Sequence, residues 1–221
     1  MTKATLLVGC PRTEGSVSST LGAYMLDLLK NKGFSVSIHY LVDDIWSKES
    51  YDGMMEDVAT SDILVLSYPL LMDSLPSDVI RWMELLRDER PVGWQRPSLI
   101  AIGNCDSPDP RDLDVSLAII KNFCSSVGIR YLGGLRFPMG MSLDGKTLAE
   151  VGSKGRSAAQ ALELATDALA DGQDVPDEAA DLMASRPMSE LIYLMSHNRK
   201  WKRKAMANGK KLNIYDRPLS R

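Results

Sequence analysis

Short apolar runs alternate with segments of helical periodicity along most of this chain, and that alternation constrains its fold more than any other feature. Five of the runs are interpreted as strands, at residues 5–9, 35–41, 62–70, 98–104 and 131–137. The helical segments lie at residues 18–32, 51–60, 77–90, 113–127 and 148–171. Strands that are apolar nearly throughout are buried on both faces, as in a parallel sheet with helices on each side. The pattern therefore predicts a doubly wound α/β fold.

The order of the five strands decides where a ligand would bind. No G-x-G-x-x-G follows the first strand, which favours the order 2-1-3-4-5 over the longer dinucleotide-binding order. Ligands of such sheets bind beyond the carboxyl ends of the strands, at the switch point between strands 1 and 3. The loop at residues 9–20 follows the first strand, so it lies at the expected ligand site.

That loop reads "GCPRTEGSVSST" and is rich in hydroxyl side chains. A helix that starts near Ser18 or Ser19 directs its unpaired N–H groups and a partial positive charge at the loop. Further donors come from the hydroxyls of Ser16, Ser18, Ser19 and Thr20. Arg12 either adds a positive charge or faces solvent. The pattern is not a P-loop, and neutral donors suit a monophosphate such as that of FMN. The alternative is that the serines only cap the helix.

The segment "GCPRTEGSVSSTLGAYMLDLL" resembles the first loop of the NAD(P)H-dependent FMN reductase and quinone reductase family, whose fold is flavodoxin-like. Gly9, Pro11 and Arg12 match the family's G-S-P-R opening, and Cys10 stands where serine is usual. The resemblance implies that Ser16, Ser18 and Ser19 hold the FMN phosphate.

A second segment, "DILVLSYPLLMDSLPSDVIRWMELL", is similar to the family's third strand and the loop that follows it. By this resemblance the isoalloxazine ring is lined by Pro69, Leu70, Leu71 and Met72. The stacking would be aliphatic, because the family often has an aromatic residue near Leu71. Alternatively, Pro69 simply ends a strand and Pro76 begins a helix.

A third segment, "IAIGNCDSPDPRDLDVSLAIIKNFCSSVGIRYLGGL", resembles the family's fourth strand, its ring-edge loop and the helix that follows. The resemblance implies that Asn104, Cys105 and Asp106 approach the ring edge, with backbone groups bonding the flavin. Asp106 equally suits a plain turn residue in "DSPDP".

Together these resemblances imply an FMN-dependent oxidoreductase that passes electrons from NADH or NADPH to a small acceptor such as a quinone or free flavin, in a homodimer. We assign no catalytic side chain, because the cofactor itself carries the chemistry. Two alternatives stay open: a flavodoxin-type electron carrier, and a non-catalytic binding or regulatory module with the same fold.

The remaining chemistry-bearing residues point to few other functions. Cys10, Cys105 and Cys124 form no C-x-x-C pair, so we expect no metal site. Cys10 and Cys105 would both lie near the flavin, where a redox pair is conceivable, but isolated cysteines are more often apolar fillers. For His39 we expect a structural or surface role rather than a catalytic one. The N-terminus does not resemble a signal peptide, and a cytoplasmic location is expected.

Charge is distributed unevenly along the chain, whose formal net charge is −3. Residues 196–221 contain nine Lys or Arg and one acid, a net charge of +8, which leaves −11 on the rest. We predict an FMN-binding domain at residues 1–171, and an acidic linker with a basic helical extension at 172–221. Such an extension suits packing or dimer contact, or weak contact with an anionic surface. No nucleic-acid partner is expected.

Overall fold

A computed structural model describes residues 2–89, 93–143 and 145–209. The chain divides into two compact units, Met1–Pro187 and Met188–Arg221. The predicted helix end at Arg90 and the last residues of the basic extension lie outside the described residues.

The first unit is built on a five-stranded sheet in which every pair of neighbouring strands is parallel. The strands are β1 (Lys3–Val8), β2 (Ser35–Tyr40), β3 (Ile63–Pro69), β4 (Ser98–Asn104) and β5 (Arg130–Phe137). Their order is β2-β1-β3-β4-β5. The predicted fold class and strand order are confirmed, so the switch point does lie between β1 and β3.

Helices cover both faces of this sheet. They are α1 (Val17–Asn31), α2 (Leu41–Asp44), α3 (Lys48–Thr60), α4 (Ser77–Asp88), α5 (Asp114–Val127), α6 (Arg156–Ala170) and α7 (Asp177–Ala184). Neighbouring residues of β1 point to opposite faces, and both are fully buried: Leu6 packs in the cluster with α1 and α6, and Leu7 in the cluster with α3, α4 and α5. This double burial explains why the strands are apolar throughout.

Helix α6 begins later than the sequence pattern indicates, at Arg156 rather than at residue 148. Gly152 has a left-handed φ of +61°, which interrupts a helix before that point. A side chain at Gly155 would lie 2.5 Å from the carbonyl oxygen of Leu148, so glycine is needed where the chain passes Leu148 just before α6 begins.

The residues expected to form an acidic linker contain α7, and the division between the units falls after Pro187 rather than after Asp171. Ala179 and Met183 are fully buried in the same cluster as Leu6. The N–H of Val175 donates to the carbonyl of Leu132 in β5, 2.9 Å away. Residues 172–187 of the predicted extension therefore belong to the first unit, and Ala179 and Met183 to its core.

The described part of the second unit contains one helix, α8 (Glu190–Ala207), as the basic C-terminal pattern predicts. Within the described residues, no helix is both long enough and apolar enough to span a membrane.

Candidate functional site

The first loop begins at Gly9, where the neighbouring elements leave no room for a side chain. The N–H of Gly9 donates to the carbonyl of Ser67 in β3, 2.8 Å away. A side chain at Gly9 would collide with Val79 of α4. The glycine therefore lets α4 approach the end of β1, which brings the loop and the end of β3 close together at the switch point.

The serines begin α1 as a hydrogen-bonded cap. Ser16 is the N-cap residue, and its hydroxyl oxygen accepts from the N–H of Ser19 at 3.0 Å. The hydroxyl of Ser19 donates back to the carbonyl of Ser16 at 2.9 Å. The N–H groups of Val17 and Ser18 belong to the first turn, where a helix offers no internal acceptor. They supply a neutral, electropositive donor set next to the loop.

Ser18 is held by a buried network that joins the ends of β3 and β4 to α1. The amide of Asn104 donates to the Ser18 hydroxyl at 2.7 Å and to the carbonyl of Tyr68 at 2.9 Å. The hydroxyl of Ser67 donates to the carbonyl of Ser18 at 2.8 Å. The N–H of Leu70 donates to the carbonyl of Asn104 at 2.7 Å. The three predicted site segments are thus brought together, and the amide of Asn104 points inward among them.

This bonding separates the hydroxyls that can still donate from those that cannot. Ser19 uses its only hydroxyl hydrogen on the carbonyl of Ser16. Ser16 and Ser18 act as acceptors in their bonds within the described residues, so each keeps one O–H for a further acceptor. All three serines are buried.

The loop also carries two charged side chains. Arg12 is exposed and forms no ion pair with the described residues. Glu14 lies toward the end of β2, where burial and then the charge of Glu14 raise the pKa of Tyr40. Pro11 is exposed next to Arg12.

After Pro69, which ends β3, the chain forms a strained two-residue turn. Leu71 and Ser74 exchange N–H to carbonyl bonds of 3.0 Å each. Between them, Met72 and Asp73 have left-handed φ values of +48° and +59°. Such a value is costly for Met72, whereas aspartate visits this region more readily. The Met72 side chain is completely exposed, and Leu71 is 42% exposed. The turn therefore presents apolar side chains to solvent at the carboxyl edge of the sheet.

Cys105 and Asp106 are tied to the chain that follows β5. The N–H of Cys105 donates to the carbonyl of Phe137 at 3.0 Å, and its carbonyl accepts from Gly140 at 2.8 Å. A carboxylate oxygen of Asp106 accepts from the N–H of Met141 at 3.1 Å. Burial raises the pKa of the Cys105 thiol to about 11. These bonds occupy the backbone of Cys105, and its sulfur is a thiol at neutral pH.

Residues 138–143 form a wall of the site that sequence reasoning missed. The N–H of Met139 donates to the carbonyl of Ser107 at 3.0 Å, and Met139 is buried with a left-handed φ of +54°. A side chain at Gly140 would lie 3.3 Å from the amide oxygen of Asn104. The signal was "FPMGMS", a proline and a glycine directly after a strand, at the edge where ligands bind.

The other candidate residues lie in structural positions. Both ring nitrogens of His39 face carboxylates, Asp44 at 3.1 Å and Asp57 at 2.8 Å. Cys10 and Cys124 are buried and unpaired. Burial raises the pKa of Cys124 to about 12. Among the described residues there is no cluster of three or more His, Cys, Asp or Glu side chains suited to a metal ion.

A groove of about 540 Å³ lies at the opposite edge of the sheet, by the amino ends of β3, β4 and β5. Its lining includes Phe34, Asp62, Arg96, Arg130 and Leu169. Open parallel sheets bind ligands at the carboxyl ends of their strands, so we place the candidate site at the carboxyl edge and not in this groove.

Comparison with known proteins gives matches of structure only. No family model matches the sequence, and no curated protein sequence matches it significantly. An FMN-dependent NADH-azoreductase from Bacillus anthracis, solved with FMN, is 17% identical, with 77% of this chain and all of that chain covered, at a TM-score of 0.56. An NAD(P)H:quinone oxidoreductase from Methanothermobacter marburgensis is 12% identical over 76% of this chain and 96% of its own, also at 0.56.

A third match extends further along the chain. RosB, solved with 8-demethyl-8-formylriboflavin-5′-phosphate, is 11% identical, with 90% of this chain and 87% of that chain covered, at a TM-score of 0.60. At identities this low, the similarity of structure shows a shared fold alone. The chain therefore has the flavodoxin-like fold of these flavin-related structures.

Proposed function

We propose that this protein is an FMN-dependent oxidoreductase that takes electrons from NADH or NADPH and passes them to a small acceptor such as a quinone or free flavin. The observation that carries the proposal is the Asn104 network, which joins the first loop and the ends of β3 and β4 at the switch point. The matched structures support it, because their names include FMN, a riboflavin phosphate and NAD(P)H.

The phosphate of FMN fits the donor set of the first loop. The first-turn N–H groups of α1 and the remaining hydroxyl hydrogens of Ser16 and Ser18 are neutral donors beside the positive end of a helix. Arg12 is the cation of the same loop. It forms no ion pair with the described residues, so no carboxylate among them competes with the phosphate for its charge. Ser19 supports this set through its bond to Ser16 rather than donating to the phosphate itself.

The isoalloxazine ring fits between the turn after β3 and the loop after β4. Leu70, Leu71 and Met72 offer an apolar wall, and exposed apolar side chains at a sheet's ligand edge favour a planar apolar ligand. When bound, FMN supplies the chemistry of accepting a hydride from the nicotinamide and delivering two electrons to the acceptor. The chain's own residues position the ring, exclude water from one side of it and hold the phosphate.

We extend the proposal to a homodimer in which a second subunit covers the apolar wall formed by Leu70, Leu71 and Met72. Met72 is fully exposed and Leu71 is partly exposed at this wall. A neighbouring subunit placed there would exclude water from the second side of the ring.

The phosphate requirement gives the sharpest test of this proposal. Titration of the protein with FMN and with riboflavin, followed by quenching of flavin fluorescence, should show micromolar binding of FMN and at least 100-fold weaker binding of riboflavin. The expected ratio follows because each hydrogen bond to a charged group contributes about 1.5–3 kcal/mol. Equal affinity for the two flavins, or binding of neither, would overturn the phosphate assignment.

An electron carrier with the same fold is separated from an enzyme by kinetics. Mixing the FMN-loaded protein with NADH or NADPH in a stopped-flow instrument should reduce the flavin directly if the protein is an oxidoreductase. A carrier should react only after a partner reductase is added.

RosB favours a second candidate, in which a flavin phosphate is the substrate rather than the resident cofactor. That structure holds a modified riboflavin phosphate, and its match covers more of this chain than the first unit contains. Dialysis and mass spectrometry of the flavin after turnover distinguish the two. A resident cofactor stays bound and unchanged, whereas a substrate is released with an altered mass.

A further inference from the structure

Helix α8 carries an unusual amount of exposed apolar surface. Six of the thirteen large apolar side chains that are exposed in the described part of the chain lie on this single helix. They are Leu191, Ile192, Leu194, Met195, Trp201 and Met206, with exposed fractions between 45% and 68%. Contiguous exposed apolar surface of this kind marks a surface that another body covers.

Most of these side chains share one side of the helix. At 3.6 residues per turn, five of them fall within an arc of about 140°: Leu191, Leu194, Met195, Trp201 and Met206. Asn198 falls in the same arc, between Met195 and Trp201. The rings of Tyr193, His197 and Trp201 follow one another along the helix, with centroids 5.7 Å and 6.2 Å apart. Trp201 is thereby held at one border of the apolar stripe.

Cations accompany this stripe. In helical projection Arg199 and Arg203 lie along one border, Lys204 lies beyond Trp201 on the other, and Lys202 lies within the stripe itself. The ammonium of Lys204 is 5.7 Å from the centroid of the Trp201 ring. By sequence, residues 188–221 carry a net charge of +7, and the preceding 187 residues carry −10.

We propose that α8 binds the surface of an anionic lipid bilayer, lying in the interface with its apolar stripe toward the acyl chains. Such helices combine an apolar side that includes Trp or Leu with Lys and Arg beside it. The long stem of Lys202 can lie along the apolar boundary while its ammonium reaches the headgroups. The cores of protein–protein interfaces are poor in lysine, so a lysine within the stripe favours a bilayer over a second copy of this chain.

Bilayer binding also indicates the class of electron acceptor, in a step that rests on the proposed function. Lipid-soluble quinones are dissolved in the bilayer, so an oxidoreductase bound there would reduce a lipid-soluble quinone. The nicotinamide gives up a hydride and becomes NAD(P)⁺, the solvent supplies one proton, and the quinone takes up two electrons and two protons to leave as the hydroquinone.

The test is co-sedimentation of the full chain with vesicles of phosphatidylcholine containing about 30% of the anionic lipid phosphatidylglycerol, and with vesicles of phosphatidylcholine alone. The protein should partition onto the anionic vesicles only, and salt should release it. Each cation near an anionic surface strengthens binding about fivefold. The variant R199Q/K202Q/R203Q should therefore bind on the order of 100-fold more weakly.

Two matched controls separate α8 from the rest of the surface. K48Q/K121Q/K154Q makes the same charge change at exposed lysines of the first unit and should leave vesicle binding unchanged. L194S/W201S should weaken binding strongly, and V115S/I119S, at exposed apolar residues of α5, should not. Far-UV circular dichroism of each variant verifies that the fold is retained.

Three results would overturn the inference. The first is no partitioning onto anionic vesicles, and the second is equal loss of binding in the control variants. The third is a dimer in sedimentation equilibrium that the α8 substitutions dissociate while vesicles stay unbound, which would make a second copy the occupant of α8.

Vesicle binding needs neither flavin nor nicotinamide, so it is measured independently of the proposed function. The acceptor step is tested by comparing reduction of a vesicle-embedded quinone with reduction of a water-soluble quinone. R199Q/K202Q/R203Q should slow only the first. If neither quinone is reduced by wild type, the proposed function is wrong while bilayer binding can still hold.

Discussion

The side-chain amide of Asn104, at the carboxyl end of β4, donates a 2.7 Å hydrogen bond to the hydroxyl of Ser18 in the first turn of α1. The two residues are 86 positions apart in the chain. The bond is buried, and the same amide also reaches the carbonyl of Tyr68 in β3. It therefore fixes the positive end of α1 against the strand ends between which we place the flavin.

Removal of this amide should affect both stability and flavin binding. We expect Asn104→Ala to lower the free energy of unfolding by about 1–3 kcal/mol, because buried groups lose their partner. FMN affinity should fall with it, since α1 is no longer fixed. Urea denaturation and FMN titration measure the two effects. Asn122→Ala, at an exposed position of α5, is the control, and an Asn104→Ala protein that behaves like it would contradict this role.

Ser16 tests whether the first loop binds phosphate or only caps α1. Loss of the N-cap in Ser16→Ala should cost about 1 kcal/mol of unfolding free energy. If the hydroxyl also donates to FMN, affinity for FMN should fall while affinity for riboflavin stays the same. Ser125→Ala, on the exposed side of α5, should change neither. A loss of stability with unchanged FMN affinity would show that capping is its whole role.

In the turn after β3, we expect one substitution to raise the stability of the protein and to weaken FMN binding. Met72→Gly relieves a left-handed φ of +48° and should raise the free energy of unfolding by about 0.5–1 kcal/mol. It also removes part of the apolar wall, so FMN should bind more weakly. Met72→Ala removes the same side chain but keeps the strain, so it should weaken FMN binding without stabilising the protein. Equal stability of the two variants would argue against strain.

Asp57 should make stability depend on acid pH. Burial by itself raises the pKa of Asp57, but hydrogen bonds from Lys3 and His39 outweigh it, and the pKa lies below its ordinary value. A carboxylate with a lowered folded-state pKa stabilises the protein above its unfolded-state pKa, and this contribution is lost as the pH falls through the folded-state pKa.

We expect Asp57→Asn to cost about 1–2 kcal/mol at pH 7, with discounting for partial exposure. The difference from wild type should shrink as the pH is lowered toward 3, and urea denaturation from pH 3 to pH 7 measures it. Asp167→Asn, at the exposed ion pair with Lys32, should cost less than about 0.5 kcal/mol. A difference for Asp57→Asn that is independent of pH would contradict the account.

The buried cysteines should resist alkylation. Burial raises the pKa of Cys105 to about 11 and that of Cys124 to about 12. At pH 8 we expect iodoacetamide to modify both at least 100-fold more slowly in the folded protein than in urea, because only the thiolate reacts. Peptide mass spectrometry identifies each site. Rapid labelling of Cys105 in the folded protein would contradict this expectation and would support a redox role for this residue.

The sheet was predictable because residues such as Leu6 and Leu7 are buried on opposite faces, which leaves an unbroken apolar run in the sequence. The predicted limits of β4 agree with the structure residue for residue. Helix α7 was missed because only Ala179 and Met183 are fully buried in an acidic segment, too few to show a period.

The candidate site was only partly predictable for a different reason. Ser18 was predicted from the hydroxyl-rich first loop, and Asn104 was implied by the family resemblance. The hydrogen bond between them depends on strand packing across distant segments. The wall at residues 138–143 depends likewise on where β5 ends beside β4, which no local pattern shows.

The most direct test of the central claim is the visible absorption spectrum of the protein with added FMN, recorded without oxygen before and after NADPH or NADH is supplied. We predict bound-flavin bands at ~375 and ~450 nm that bleach on addition of at least one of the two nicotinamides and return with a quinone. Uptake of FMN without bleaching by either would leave an electron carrier. No uptake of FMN would contradict the account outright.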